Sequence, residues 1–218
     1  MAMPKPRLEQ MARFGGIVFV VLAIGGFLVA GDAGLDDGVK IASYFADHRG
    51  RILIGFHSAA IGLLAFVLWS WWVMDALWHA GGTRNSLGVA VFVAGAMTAT
   101  VEFGVIALAM TLAVISTRPV DPSLARMLAN AYQAFSYVDF FPLALLFLML
   151  GIAVLRTRIV GAWVGWVSIV LVPVCLITAF PRLGLDLSLG LLTFVGIIVA
   201  NVALIRSKVL TRGSDATV

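Results

Sequence analysis

The sequence contains few charged residues. Only 12% of its 218 residues are Asp, Glu, Lys or Arg, whereas 61% are hydrophobic. A soluble globular domain carries roughly 25% charged residues, so this chain has too few charges to cover a surface that faces water. The composition, with a mean hydropathy of +1.05, is typical of a polytopic membrane protein.

The sequence also lacks the motifs of several functional classes. Its single cysteine, Cys175, excludes a disulfide within the chain and a cysteine-rich metal site. There is no close-spaced histidine pair, phosphate-binding loop, nucleophile elbow or nucleic-acid-binding motif. The sequence therefore predicts no cofactor, no metal ion and no nucleic-acid partner. The net charge of +4 fits orientation signals and contact with the lipid bilayer.

Six apolar stretches are long enough to cross a bilayer, which takes about 20 helical residues. They cover residues 14–31, 52–77, 87–116, 132–155, 160–180 and 187–205. The first could instead be a signal peptide, but the five later stretches favour a membrane anchor. The sequence thus predicts an all-α bundle of six transmembrane helices over 14–205, between an N-terminal tail (1–13) and a C-terminal tail (206–218).

The positions of Lys and Arg predict the orientation of these spans. Nine of the basic residues fall on the side that holds both termini, and six fall on the other side. Because cytoplasmic segments carry more Lys and Arg, both termini are predicted to be cytoplasmic. Tryptophans at the predicted cytoplasmic end of the second span would form an interfacial belt: Trp69, Trp71, Trp72 and Trp78.

Local signals predict three further features. The long loop 32–50 could carry a short surface helix over 40–47. Asp121 followed by Pro122 is typical of a helix N-cap and first helical position, so the fourth helix should begin before the membrane. One polar stripe should follow along this helix: Arg126, Asn130, Gln133 and Tyr137. The paired glycines of the first span, at 15–16 and 25–26, indicate close helix packing.

Three acidic residues, Asp75, Glu102 and Asp139, fall inside the predicted spans. A charge at the middle of a bilayer costs at least about 2.5 to 3.5 kcal/mol, so such residues face the bundle interior, pair or become neutral. Asp75 lies near the predicted cytoplasmic interface and can pair with His79 four residues later. Glu102 and Asp139 have no such explanation.

Glu102, Asp139 and His57 lie at similar predicted depths on three consecutive spans. At about 1.5 Å per residue, each lies about 8 to 10 Å below the outer edge of the hydrocarbon core. Pro142 has no N–H, so it cannot bond to the carbonyl of Val138, and this carbonyl adjoins Asp139. The sequence therefore predicts a helix break with an electronegative pocket beside it.

These residues define a candidate polar cavity in the outer half of the membrane, lined by His57, Glu102, Gln133, Tyr137 and Asp139. Two carboxyl groups at one depth could share a proton or a cation. A purely structural role is the alternative, in which the same groups form a buried hydrogen-bonded lock between helices.

The order of segments resembles a family of bacterial six-span membrane proteins, domain of unknown function 4386. The resemblance rests on "YFADHRGRILIG" before the second span, "TATVEFGVIAL" in the third and "LRTRIVGAWVGW" between the fourth and fifth. It extends over about residues 14–205. It implies a six-span fold and topology, and it implies no activity and no catalytic residue.

Three functional hypotheses follow. The first is transport or permeation of a small solute, cation or proton through the outer-half cavity of a plasma-membrane protein. The second is a membrane enzyme that acts on a lipid or isoprenoid with Glu102 or Asp139 as general acid. The third is an accessory subunit of a larger membrane complex. The small size of the chain favours a homo-oligomer or a larger complex as the working unit.

Overall fold

The computed structural model of the protein describes residues 5–31, 37–81, 86–116, 121–180 and 187–207. Within these ranges every regular element is an α-helix, which confirms the predicted all-α class. The eight helices are α1 (Lys5–Ala30), α2 (Gly38–Asp47), α3 (Arg49–Gly81), α4 (Ser86–Ile115), α5 (Pro122–Val138), α6 (Phe140–Thr157), α7 (Ala162–Thr178) and α8 (Leu187–Ile205).

Four helical segments in the described ranges are long and apolar enough to cross a membrane. They are Met11–Ala30, Arg49–Ala80, Ser86–Ile115 and Pro122–Thr157, the last of which joins α5 and α6. Two shorter apolar helical segments, Ala162–Thr178 and Leu192–Ile205, correspond to the fifth and sixth predicted spans. Helix α1 begins at Lys5, so helical structure extends into the predicted N-terminal tail. Most of the predicted C-terminal tail, 208–218, lies outside the described residues.

Six helices form a closed ring. Helix α1 packs against α3, α3 against α4, α4 against α6, α6 against α7, α7 against α8, and α8 returns to α1. The last contact is fixed by a side chain, because Asn201 Nδ2 donates to the carbonyl of Arg13 at 2.9 Å. Large buried side chains fill the interior, among them Phe66, Trp69 and Phe147.

Large apolar side chains also cover the outer faces of the ring. They include Val21, Leu28, Ile54, Ile61, Trp163, Trp166 and Val170, each more than half exposed. Soluble proteins rarely expose so many apolar side chains over several neighbouring helices. This surface therefore supports a membrane environment for the ring.

Glycines let α1 and α3 approach each other closely. A Cβ atom built on Gly26 would collide with the carbonyl oxygen of Gly55, and one built on Gly55 would collide with that of Gly26. Gly15 meets the carbonyl oxygen of Ala65 in the same way. A Cβ atom on Gly25 would have no neighbour within 4 Å. The prediction of close packing is therefore confirmed for Gly15, Gly16 and Gly26, and it is wrong for Gly25.

The predicted surface helix is present as α2. Its N-cap is Asp37, whose Oδ1 accepts from the Val39 N–H at 2.9 Å. Ile41 and Phe45 are buried, and α2 packs mainly on α5. Helix α2 therefore lies over the start of α5 rather than within the ring.

The C-terminal end of α1 is held by two side chains from the segments that follow it. The Tyr44 hydroxyl donates to the carbonyl of Ala30 at 2.8 Å, and Arg51 Nε donates to that of Val29 at 3.2 Å. Gly31 then leaves the helix with φ of +75°, which glycine adopts at little cost. Two of the end carbonyls of α1, which lack partners within their own helix, are satisfied in this way.

The start of α5 and the α5–α6 break both follow the sequence signals. Asp121 Oδ1 accepts from the Ser123 N–H at 2.8 Å and Pro122 is the first helical residue, as predicted. Asp139 separates α5 from α6, three residues before Pro142. The Asp139 N–H bonds to the carbonyl of Phe135, so helical bonding continues up to the break. The missing N–H of Pro142 accounts for the interruption.

Acidification should weaken the start of α5. The Ser123 backbone N–H, followed by its side chain, holds the pKa of Asp121 below its ordinary value. Because the folded pKa is lowered, this contribution is present above about pH 4 and is lost as the pH falls through the folded value. Asp121→Asn keeps a capping oxygen that does not titrate. We expect thermal unfolding in detergent to depend less on pH between about 5 and 3 in the variant than in the wild type. An identical pH dependence would contradict this role.

Candidate functional site

Glu102 and Asp139 meet inside the ring. Glu102 lies within α4, Asp139 is the residue between α5 and α6, and their carboxyl groups lie close enough to interact. Two ionised carboxylates have no hydrogen to share, so a hydrogen bond between them requires a proton on one of them. The pair therefore carries a net charge of −1 when it holds one proton.

Asp139 is the more deeply buried member of the pair. Its side chain is 5% exposed, whereas Glu102 is partly buried. The Oδ1 atom of Asp139 is buried and has no hydrogen-bond partner in the part of the chain that the structure describes. A carboxylate oxygen without a partner is costly in a packed interior, so the pair has unused acceptor capacity.

The pattern of exposure around the break places Asp139 on the inner face. Val138 and Phe141 are exposed, whereas Asp139, Pro142 and Leu143 are buried. Residues three and four apart share one helix face, so Asp139 continues the buried face of α6 across the break. Pro142 thus belongs to the inner face as well.

The other predicted cavity residues do not join this pair. His57 is exposed, and its Nδ1 lies 2.7 Å from the carbonyl of Leu53 on its own helix. Gln133 is exposed and donates to the hydroxyl of Tyr137 at 3.3 Å, while Tyr137 is partly buried. None of the three lines the cavity beside Glu102. Of the five residues, the structure brings together Glu102 and Asp139, whereas His57 and Gln133 lie on exposed faces of their helices.

Nearby hydroxyl groups bond to their own helices instead of to the acids. Thr98 Oγ1 donates to the carbonyl of Ala94 at 3.1 Å, and Ser136 Oγ donates to that of Tyr132 at 2.9 Å. Such bonds to the preceding turn are usual for Ser and Thr inside helices. These two hydroxyl groups therefore do not donate to the carboxyl pair.

A small cavity adjoins Glu102. Its volume is about 10 Å³, close to the minimum that holds one water molecule. Besides Glu102, its walls consist of Phe19, Ala23, Phe27, Ala59, Leu63, Ile106 and Phe194. These residues come from α1, α3, α4 and α8. The cavity is far too small for a lipid or an isoprenoid, so its geometry does not favour the enzyme hypothesis.

The sequence pattern does not predict which phenylalanines line this cavity. Phe19, Phe27 and Phe194 come from helices at opposite ends of the chain, and each stands in an apolar run like many others.

Metal binding has no support here, since the described residues contain no group of three or more His, Cys, Asp or Glu side chains that could hold an ion. Cys175, the only thiol, is buried.

Asp75, the third acid in the predicted spans, has the partner that the sequence indicated. Its Oδ2 lies 3.5 Å from Nδ1 of His79, and both side chains are partly or largely exposed. The same Nδ1 lies 2.8 Å from the carbonyl of Asp75. This pair is separate from the buried acids, so Asp75 is a suitable control residue for them.

Comparison with known proteins provides no further assignment. No protein-family model, no curated protein and no solved structure matches this chain.

Proposed function

We propose that this protein is a plasma-membrane protein with six transmembrane helices and cytoplasmic termini that performs proton-linked transport. Glu102 and Asp139 form its proton-binding element. The observation that supports this function is the pair of interacting carboxyl groups inside a ring of apolar helices. The six-span topology is the one expected for the family of unknown function that the sequence resembles.

The pair has the chemistry of a reversible proton carrier. Two carboxyl groups in contact cannot easily both ionise, so they bind their protons in two separate steps that belong to the pair. Losing or gaining one proton changes the charge between 0 and −1 in a place where charge is costly. Because the charged pair is more costly in this interior than the neutral pair, proton exchange favours a rearrangement of the surrounding helices.

The size of the cavity limits which species the protein could transport. A volume of about 10 Å³ holds nothing larger than one water-sized molecule. The small-solute version of the transport hypothesis would need a larger opening, whereas a proton or a water-sized cation fits this geometry. A homo-oligomer remains our expectation for the working unit because the chain is short.

The proposal is tested by flux in liposomes. In proteoliposomes with an imposed pH gradient, Glu102→Gln and Asp139→Asn should each reduce protein-dependent proton flux by at least about tenfold, since neither amide can bind and release a proton in the physiological range. Asp75→Asn, which changes a carboxyl group outside the pair, should retain the flux. Wild-type flux in both pair variants would refute the proposal.

A further inference from the structure

The cavity beside Glu102 combines a single carboxyl group with aromatic walls. Three of its eight lining residues are Phe19, Phe27 and Phe194, and the remaining four besides Glu102 are aliphatic. Aromatic rings attract cations through their quadrupole, and this attraction grows when the site is shielded from water. Carboxyl and aromatic groups together are thus suited to a positively charged ligand.

A neutral water molecule matches the cavity in size, but the cavity offers it few hydrogen-bond partners. A buried water typically makes two to four hydrogen bonds, whereas Glu102 is the only lining residue with a polar side chain. Apolar cavities of this kind tend to stay dry. The walls therefore favour a ligand that is held by charge rather than by several hydrogen bonds.

A metal cation is equally unsuited to these walls. Dehydrated metal cations need several oxygen ligands to replace their water shell. The cavity offers the carboxyl oxygens of one residue, and no metal-binding group of acids, histidines or cysteines occurs in the described ranges. An ammonium ion differs because it is close to water in size, donates hydrogen bonds and interacts well with aromatic rings.

Glu102 connects this cavity to the acidic pair. Glu102 lines the cavity, and its carboxyl group also interacts with that of Asp139. With one shared proton the pair has a charge of −1, and the buried Asp139 Oδ1 adds an acceptor without a partner among the described residues. A monovalent cation in the cavity would neutralise this charge in the same way as a second proton does.

From these features we infer that the cavity binds the free ammonium ion, which is close to water in size. Binding occurs when the pair holds one proton, so one cation enters as one proton leaves. The inference rests on the proposed function, because the proton state of the pair sets the charge that the cation balances.

Ligand titration of the purified full-length protein in detergent tests this inference. Isothermal calorimetry at constant ionic strength would compare ammonium, methylammonium, tetramethylammonium and sodium chlorides. We expect saturable binding of ammonium, much weaker binding of methylammonium, and none of sodium or of the bulky tetramethylammonium ion. Methylammonium binding as tight as that of ammonium would overturn the inference, because the added methyl group does not fit a cavity of about 10 Å³. Equal binding of sodium would overturn the inference.

Matched variants locate the binding. Glu102→Gln should abolish saturable ammonium binding, and Phe27→Leu should weaken it about twofold to tenfold through loss of a ring. Phe14→Leu, which alters an exposed phenylalanine of the same helix, should bind ammonium like the wild type. Phe27→Tyr retains a ring and should bind within about twofold of the wild type, which separates loss of the ring from loss of folding. Unchanged affinity in Glu102→Gln would overturn the inference.

The two proposals can fail separately. If Glu102→Gln abolishes proton flux but the wild type does not bind ammonium, the proton-linked function stands and the cation site is refuted. If ammonium binds through Glu102 but the wild type shows no proton flux, the cation site stands and the transport function is refuted.

Discussion

Replacing Gly26 by alanine should destabilise the protein by about 2 kcal/mol, whereas the same change at Gly25 should leave its stability unchanged or slightly increased. The two glycines are adjacent in α1, so the same residue type stands at both positions, in the same helix and at nearly the same depth. A Cβ atom at position 26 collides with the backbone oxygen of Gly55, which cannot move without separating α1 from α3. At position 25 the same atom meets nothing within 4 Å. Alanine there gains up to about 1 kcal/mol in helix propensity.

The measurement is the unfolding free energy in mixed micelles at increasing denaturing detergent. Gly55→Ala provides a second test, because its Cβ atom would collide with the carbonyl oxygen of Gly26 and should cost a similar amount. Equal stability of the Gly25 and Gly26 variants would show that α1 and α3 do not meet at this point.

Replacing Glu102 by leucine should cost about 3 kcal/mol, and adding Asp139→Leu should recover part of this loss. The single change leaves the Asp139 carboxyl group buried without its partner, and such a group costs about 1 to 3 kcal/mol in addition to the lost hydrogen bond. The double change removes both polar groups, which is often nearly neutral, while the larger volume of leucine at position 139 limits the recovery to part of the loss. The coupling energy between the two positions should therefore exceed about 1 kcal/mol.

Glu102→Gln is the matched control for this cycle. It preserves the size of the side chain and its ability to hydrogen-bond to Asp139, so it should cost much less than Glu102→Leu. The same micelle unfolding experiment measures all five proteins: the wild type, the two single leucine variants, the double leucine variant and Glu102→Gln. Additive effects of the two leucine substitutions would indicate that the carboxyl groups are not in contact. A stable Glu102→Gln protein would also allow its flux to be interpreted without a folding defect.

Features that depend on neighbouring residues could be predicted from the sequence. The Asp121 cap, the pairing of Asp75 with His79 and the short helix α2 each depend on residues within one or two turns. Their physical causes are local hydrogen bonds and backbone restrictions, which do not change with the arrangement of the bundle. These elements consequently agree with the sequence analysis.

The direction in which a transmembrane side chain points could not be predicted in the same way. Outer faces of membrane helices are as apolar as inner faces, so hydrophobic periodicity does not separate them. His57 and Glu102 were placed at similar depth by counting residues, yet His57 lies on an exposed face and Glu102 lines an internal cavity. Gly25 and Gly26 differ for the same reason. Depth follows from the helical rise, whereas rotation about the helix axis depends on contacts between distant segments.

The bond between Asn201 and the carbonyl of Arg13 joins residues that are 188 positions apart. During synthesis α1 and α3 can pack as soon as both have left the ribosome, because only α2 lies between them in sequence. The contact of α1 with α8 has to wait until the last described helix has been made. The growing chain therefore passes through a state in which the ring is still open. In this state the face of α1 that later contacts α8 is exposed to chaperones or to other membrane proteins.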